Sequence, residues 1–400
     1  MRIDKVEVIN LRYDYPEGLG IACAEGVTGS RLTSLVVVST DAGVTGIGSA
    51  YSHPDLVRLI VERHLGPHLV GQDPSDVEAL WDKMYSLTRW YGRKGAAISA
   101  LGAVDVALWD IRGKTAGEPV YRLLGGTSPA VATYASGLLW QDDVDAVAEE
   151  AANHVRAGFT LMKMRLGRTP EYDQAAVEAV VAAIEGKARV AVDGTHRYSL
   201  DEAVDLSAFL AERGVAWFEE PFPPEDLDAY TALRSRVDIP IAAGENEFGL
   251  QGFRELIRAG AVDIAQPDVS RAGGITECKR IAELAADNGV DVMTHTWSDV
   301  LALVANAHLI SASEGGRAVE VDITRTPLME ELVVGGSPVS GGVLKLSDAP
   351  GLGVELDTVV VRRLAVPPDE PVRDGNYADL VFGAEPYDVV PPRARTSAGA

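Results

Sequence analysis

The chain has 400 residues, 46% hydrophobic and 24% charged, which excludes a largely disordered polypeptide and fits two or at most three domains. Asp and Glu number 59 against 36 Lys and Arg, a formal charge of −23, so neither a nucleic acid nor an anionic membrane is expected as a partner. Any site for an anionic substrate would have to be locally positive.

The opening stretch, MRIDKVEVINLRY, alternates charged and apolar residues and lacks the apolar run of a signal peptide. No segment approaches the length of a membrane span, so the chain reads as soluble and cytoplasmic. The two cysteines, Cys23 and Cys278, are too few for a disulfide framework or a thiolate metal site and read as reduced, idle thiols.

Residues 1–125 read as an α+β unit. Lys5–Leu11 and Ser34–Ser39 have strand patterning, and DAGVTGIGSAY carries the glycine punctuation of a hairpin. A helix begins after Pro74-Ser75-Asp76, and a second spans Ala96–Ala116 and ends at Gly117. From Ala130 the pattern becomes a strict alternation of short apolar strands and amphipathic helices. The strands are VATYAS, TLMKMRL, RVAVDG, VAWFEE, PIAAGE, VDIAQPD, VDVMTHT and RAVEVD. Eight such strands across residues 126–345 predict an α/β protein built on a parallel barrel. A doubly wound open sheet is the alternative, disfavoured because no Gly-x-Gly-x-x-Gly follows a strand. After Pro350 the chain has strand-like and loop character, and the small-residue tail 391–400 reads as disordered.

Barrel enzymes place their chemistry at the carboxyl ends of the strands, and there this sequence is unusually charged. The second strand ends in Lys163 and Arg165, the third in Asp193, the fourth in Glu219-Glu220 and the fifth in Glu245. The sixth ends in Asp268, the seventh in His295 and the eighth in Glu320. Asp193, Glu219 and Glu245 follow one another at intervals of 26 residues on adjacent strands. One such carboxylate alone would read as a helix cap or the partner of a surface cation. Three in register repel unless a divalent cation lies between them, and oxygen-only ligation suits magnesium (or manganese) better than zinc. Neighbours on a strand face opposite ways, and of the two the equal spacing selects Glu219 as the ligand and leaves Glu220 as a supporting group. Asp268 beside His295 can orient the imidazole and raise its basicity, as a general base requires. Lys163 and Arg165 lie two apart and share a face, where they supply positive charge to an anionic substrate.

This constellation resembles the enolase superfamily, specifically the mandelate racemase subgroup of the mandelate racemase/muconate lactonizing enzyme family. The segments LVGQDP (69–74), SALGAVDVALWDIRGKTAGEPVYRLLGG (99–126), WFEEP (217–221) and GEN (244–246) are similar to that subgroup as well. The resemblance implies a modified TIM barrel of the (β/α)7β type, covered by an α+β cap that residues 346–390 complete. It implies one Mg2+ per subunit on Asp193, Glu219 and Glu245, and abstraction of the proton α to a carboxylate to give a metal-stabilised enediolate. Lys163 then neutralises the substrate carboxylate, the Asp268–His295 dyad serves one face of the substrate, and Glu320 hydrogen-bonds the enediolate. Arg165 stands where subgroup members often have a second lysine, the base for the other face. A guanidinium stays protonated, so racemisation is disfavoured. Dehydration of a sugar acid to a 2-keto-3-deoxy acid (a hydro-lyase reaction) is the leading expectation, because one base suffices. A sugar-lactone cycloisomerase, an epimerase or racemase, and a non-catalytic sugar-acid binding protein are the alternatives. An even-numbered homo-oligomer is implied by the resemblance only. In the loop GTHRYS, His196 reads either as an acid or hydroxyl ligand for the substrate, or as a surface residue at a helix start. Tyr134, Ser136, Tyr13, Tyr15 with the glycine-bearing segment beyond it, and His53 are expected to form a lid that selects the substrate.

Overall fold

The structure, a computed structural model, describes residues 1–16, 21–23, 26–370 and 372. The expected disordered tail, residues 373–390 of the expected cap-completing segment, the glycine-bearing segment after Tyr15 and the Cys23 side chain lie outside the described part.

The N-terminal unit is a sheet covered by helices. Strands β1 (Ile3–Asp14), β4 (Ser30–Thr40) and β5 (Thr45–Ala50) form an antiparallel sheet in the order β1-β4-β5, and β2 (Ile21–Cys23) pairs with β3 (Gly26–Thr28). The helix Ala96–Ala116 lies on β5 and is buried almost continuously from Ala97 to Ile111. Such an approach needs glycine on the strand, because a Cβ on Gly48 would stand 2.1 Å from the Ala103 carbonyl oxygen. The helical stretch from Pro54 to Leu69 carries no sequence signal identified above, and its geometry explains why. Its buried residues Val57, Val61, Leu65 and Leu69 recur every four positions, longer than the α-helical period, and the segment Leu59–Leu65 widens into a π-helix that keeps them on one face.

The barrel consists of β6 (Ala130–Ser136), β7 (Leu161–Arg165), β8 (Arg189–Asp193), β9 (Phe218–Glu219), β10 (Ile241–Ala243), β11 (Ile264–Ala265), β12 (Asp291–Thr294) and β13 (Gly316–Asp322). Each pairs in parallel with the next, and β13 pairs with β6 to close the ring. A helix follows each strand except the last, after which only the four-residue turn Pro327–Glu330 forms. The arrangement is the (β/α)7β type. The hairpin β14 (Val339–Ser340) and β15 (Val343–Lys345) extends β6 at its amino end.

Beyond Pro350 the structure departs from the strand-like expectation, since Thr358–Leu364 is a helix. Its β-branched run, TVVV, favours a strand locally, but Asp357 caps the first turn by accepting from Val359 N and Val360 N. Ala365 then bridges to Leu11, and the Val366 amide donates to the Asn10 carbonyl at 2.8 Å, returning the chain to β1.

Candidate active site

The strand-end residues converge at one mouth of the barrel. Asp193, Glu219 and Glu245 are all buried and offer oxygens within 4.8 Å of one another. Local backbone conformation sets this geometry. Gly244 precedes Glu245 at φ 134°, where a Cβ would meet the Phe253 ring at 2.7 Å. Thr195, His196 and Glu220 all hold positive φ beside the ligand residues, the kind of strain that collects at functional sites. Glu219 Oε2 accepts from Trp217 Nε1 (2.9 Å) and Gln266 Nε2 (2.7 Å), and Asp193 Oδ1 accepts from Thr195 N (2.9 Å). Glu245 Oε2 is buried with no hydrogen-bond partner among the described residues. An all-carboxylate donor set with an unsatisfied buried oxygen fits a hard divalent cation.

The cations sit among these carboxylates. Lys163 is fully buried and paired with Glu219, with Glu320 Oε1 (2.9 Å) and with Asp193 Oδ2 (3.4 Å). Arg165 pairs with Asp193, and its guanidinium lies 5.2 Å from the centre of the Trp297 ring. Burial opposes ionisation of Asp193, yet Arg165 and Lys163 hold its carboxyl below the usual range. Glu219 goes the other way: burial, reinforced by the charges of Asp193, Glu245 and Glu320, pushes it up to about 8 despite Lys163. Glu320, whose ionisation burial also opposes, is drawn down to about 2 by Lys163 and His295.

His295 Nδ1 lies 2.8 Å from Asp268 Oδ2. Its Nε2 faces Glu245 Oε1 at 3.7 Å and Glu320 Oε2 at 3.8 Å. Burial disfavours the imidazolium, but Glu245, Glu320 and Asp268 outweigh it and raise the group to about 9. The sequence pointed to Asp268 as the group that raises its basicity; the structure adds the buried carboxylates of Glu245 and Glu320.

The lid residues divide. Tyr134 is not at the mouth: it is wholly buried in the barrel interior against Trp217, its ring 6.0 Å from Lys163 Nζ. It points inward like Ser136 but sits two residues deeper along the same strand. Ser136, also buried, is in register with Lys163. Tyr15 reaches Thr324 (Oη to Oγ1, 3.1 Å) and with Tyr13, Trp140, Gln141 and Arg325 lines a cavity of about 570 Å³ between cap and barrel. His53 is half-buried at the start of the helix Pro54–Arg58, and it is Tyr51 that stacks on His295 (centroids 6.1 Å, interplanar angle 23°). His196 Nε2 lies 2.6 Å from Glu220 Oε2, and Asn246 Nδ2 donates to the same oxygen at 2.8 Å.

Several residues at the site carried no sequence signal that strand-end reasoning could use. Tyr51 and Arg31 come from the cap. Arg271 donates to the Glu245 carbonyl (2.8 Å) and to Asn246 Oδ1 (2.9 Å), and its guanidinium lies 5.3 Å from the centre of the Tyr51 ring. Gln266, an amide directly after the short strand Ile264–Ala265, is a residue that its polarity could have exposed.

The fold and this constellation define an enolase-type barrel enzyme, and the comparisons place it. Residues 146–360 match the family model "Enolase C-terminal domain-like" and residues 20–125 match "Mandelate racemase / muconate lactonizing enzyme, N-terminal domain". The chain belongs to the mandelate racemase/muconate lactonizing enzyme family of the enolase superfamily. It is 34% identical to the D-galactarolactone cycloisomerase of Agrobacterium fabrum, over 84% of this chain and 92% of that one. It is 33% identical to the arabinonate dehydratase of Saccharolobus solfataricus, over 79% and 86%. Among solved structures, a racemase from Streptomyces coelicolor A3(2) with bound magnesium superposes with a TM-score of 0.84 at 29% identity, covering 92% of this chain and all of that one.

Proposed function

We propose that the protein is a magnesium-dependent acid-sugar dehydratase, which removes the proton α to a sugar-acid carboxylate and then eliminates water to give a 2-keto-3-deoxy acid. The observation that carries the reading is the asymmetry of the site: one imidazole, His295, on one side and a guanidinium, Arg165, where a second base would stand.

A divalent cation on Asp193, Glu219 and Glu245 would neutralise the crowded carboxylates and the charge developing on the substrate carboxylate. Lys163 supplies fixed positive charge to that same carboxylate without reorganisation. His295, oriented through Nδ1 by Asp268, takes the α-proton on Nε2 and can return it to the departing hydroxyl. It must be neutral to act, so the charge of Glu245 has to be engaged for a group otherwise raised to about 9. Glu320 spans Lys163 and His295; to hydrogen-bond the enediolate it must carry a proton, so a group otherwise drawn down to about 2 has to be protonated once the substrate engages Lys163. Arg165 holds its proton and binds substrate oxygen. His196, gripped by Glu220 and Asn246, serves a substrate hydroxyl, and the cavity behind Tyr15 accepts the distal end. Lys163 and Arg165 bring positive charge to the mouth of a chain of net charge −23, and with a divalent cation on the three carboxylates they would offset the local negative charge for an anionic substrate.

A lactone cycloisomerase is the second reading, favoured by the 34% identity to such an enzyme. Incubation with magnesium and D-xylonate, arabinonate or galactarate in heavy water tests both. Dehydration predicts a keto acid product carrying solvent deuterium at C3, any α-exchange of recovered substrate confined to one face, and loss of both in His295→Asn. Consumption of galactarolactone with the open-chain acids untouched favours the cycloisomerase. Exchange on both faces at comparable rates makes the protein an epimerase and removes the single-base assignment.

A further inference from the structure

The dyad is not held together by the barrel. The ladder between β11 and β12 comprises only Ile264–Asp291 and Ala265–Val292. Asp268 and His295 stand three residues beyond it, in the segments that follow the strands, where no strand pairing fixes their separation. Something else has to hold two loop residues within hydrogen-bonding distance.

A side chain on the helix Val300–Ser311 spans this gap. Asn306 is fully buried in the run VLALVANAHLI, in which His308 is the one other polar side chain. Its Oδ1 accepts from the Val269 amide at 3.0 Å. Its Nδ2 lies 3.1 Å from Asp268 Oδ1, 3.3 Å from the His295 carbonyl oxygen and 3.1 Å from Thr296 Oγ1. Every one of these partners belongs to the two segments that carry the dyad. A buried amide costs stability unless satisfied, and this one satisfies both ends across the gap.

The orientation of Asp268 follows. Its Oδ1 accepts from Ser270 N (2.8 Å), Ser270 Oγ (2.7 Å) and Asn306, which leaves Oδ2 to face His295 Nδ1. On the other side, Thr296 Oγ1, within reach of the Asn306 amide, donates to the His295 carbonyl, and Thr296 N donates to Glu320 Oε2 at 2.8 Å. The amide therefore links Asp268 after β11 to the backbone of His295 after β12, and through Thr296 reaches Glu320 within β13, while contacting neither the carboxylate triad nor Lys163.

We propose that Asn306 is a positioning residue that fixes the Asp268–His295 geometry for proton transfer. This rests on the reading of His295 as the base. Removal of an orienting partner in analogous supporting shells costs about 10–100-fold, and misplacement by a fraction of the hydrogen-bond length acts on the chemical step rather than on binding.

The test compares Asn306→Ala and the less disruptive Asn306→Ser with wild type, His295→Asn serving as control. Two readouts are independent of each other. The first is the downfield proton resonance of the His295–Asp268 hydrogen bond, identified by its loss in His295→Asn and observable without substrate. The second is turnover of D-xylonate or arabinonate with magnesium. The expected result is a displaced or exchange-broadened resonance and a kcat about 10–100-fold lower, with KM and magnesium affinity within about twofold of wild type. An unchanged resonance in a folded variant overturns the proposal, as does a KM or magnesium affinity that deteriorates in parallel with kcat. Failure of both variants to fold assigns Asn306 to stability alone and also overturns it. If instead His295→Asn retains α-proton exchange, the assignment of the base has failed, and the resonance still reports whether Asn306 orients the pair.

Discussion

His308 shows how one residue can tie a pH dependence to the fold. It is fully buried on the same helix as Asn306, two positions on, with Nδ1 accepting from the Tyr121 amide (3.0 Å) and Nε2 facing the Leu352 carbonyl (3.1 Å). The only tautomer that satisfies both is neutral, protonated on Nε2, and burial drives the group down to about 4. In the unfolded chain it titrates at about 6.5, so between the two values the unfolded state binds the extra proton. Stability contributed by the neutral histidine is complete above about 6.5 and is lost as the pH falls toward 4, about 3 kcal/mol in all. Asp105, buried and raised to about 7, acts in the opposite sense across this range, so the variant difference is the informative quantity. His308→Gln should flatten the slope of urea midpoint against pH between about 4 and 6.5. Parallel slopes for the two proteins would show that His308 is not the group responsible.

At the scale of elements, the packing of the helix Ala96–Ala116 on β5 depends on the absence of side chains. Gly46 and Gly48 face the helix, and a Cβ on either would stand 2.0–2.1 Å from the carbonyl oxygens of Ala107 and Ala103. Backbone cannot yield as a flexible side chain can. Gly48→Ala should cost about 3 kcal/mol, the upper end of ordinary overpacking. Gly29→Ala, with nothing within 4 Å of the new methyl, should stay within about 0.5 kcal/mol. Urea unfolding of the two variants measures the contrast, and equal losses would mean that the contact relaxes. Readability from sequence divides along a related line. The eight barrel strands could be read as short apolar runs alternating with helices, the helix Ala96–Ala116 from its long apolar run ended by Gly117, and the ligands from their equal spacing of 26. The π-helical segment could not, since its buried residues recur every four positions and not at the α-helical 3.6. Nor could the C-terminal helix, whose β-branched residues favour a strand and whose cap and tertiary contact prevail. Tyr134 shows a third limit: periodicity gave its inward direction but not its depth in the barrel.

For the whole molecule, the cap and the barrel meet at a buried charge. Arg31, on cap strand β4, pairs with Asp322 at the end of β13 and donates to the Trp297 carbonyl at 2.8 Å, its guanidinium 4.7 Å from the centre of the Trp297 ring. Both charged side chains are fully shielded from solvent. Beside them Asp299, which caps the helix Val300–Ser311, accepts from Thr33 Oγ1 (2.5 Å) and Ser49 Oγ (3.2 Å) of the cap. These contacts join residues some 250 to 290 positions apart, which is why no local pattern announced Arg31, although a lone cation in the apolar strand RLTSLVVV was visible. The energetics of such a pair are asymmetric. Desolvation of the two ions roughly offsets their attraction, so the intact pair adds little, whereas removing one partner strands a buried charge and costs about 3–5 kcal/mol. Asp322→Asn should therefore lower the urea stability by about that amount. Arg31→Met combined with Asp322→Leu should lose less than the single Asp322→Asn variant, because no isolated charge remains. A double-mutant cycle over Arg31→Met, Asp322→Leu and their combination reads the coupling directly. Strictly additive losses would mean that the two side chains are not coupled, and the docking of cap on barrel would then rest on Asp299 and the apolar contacts.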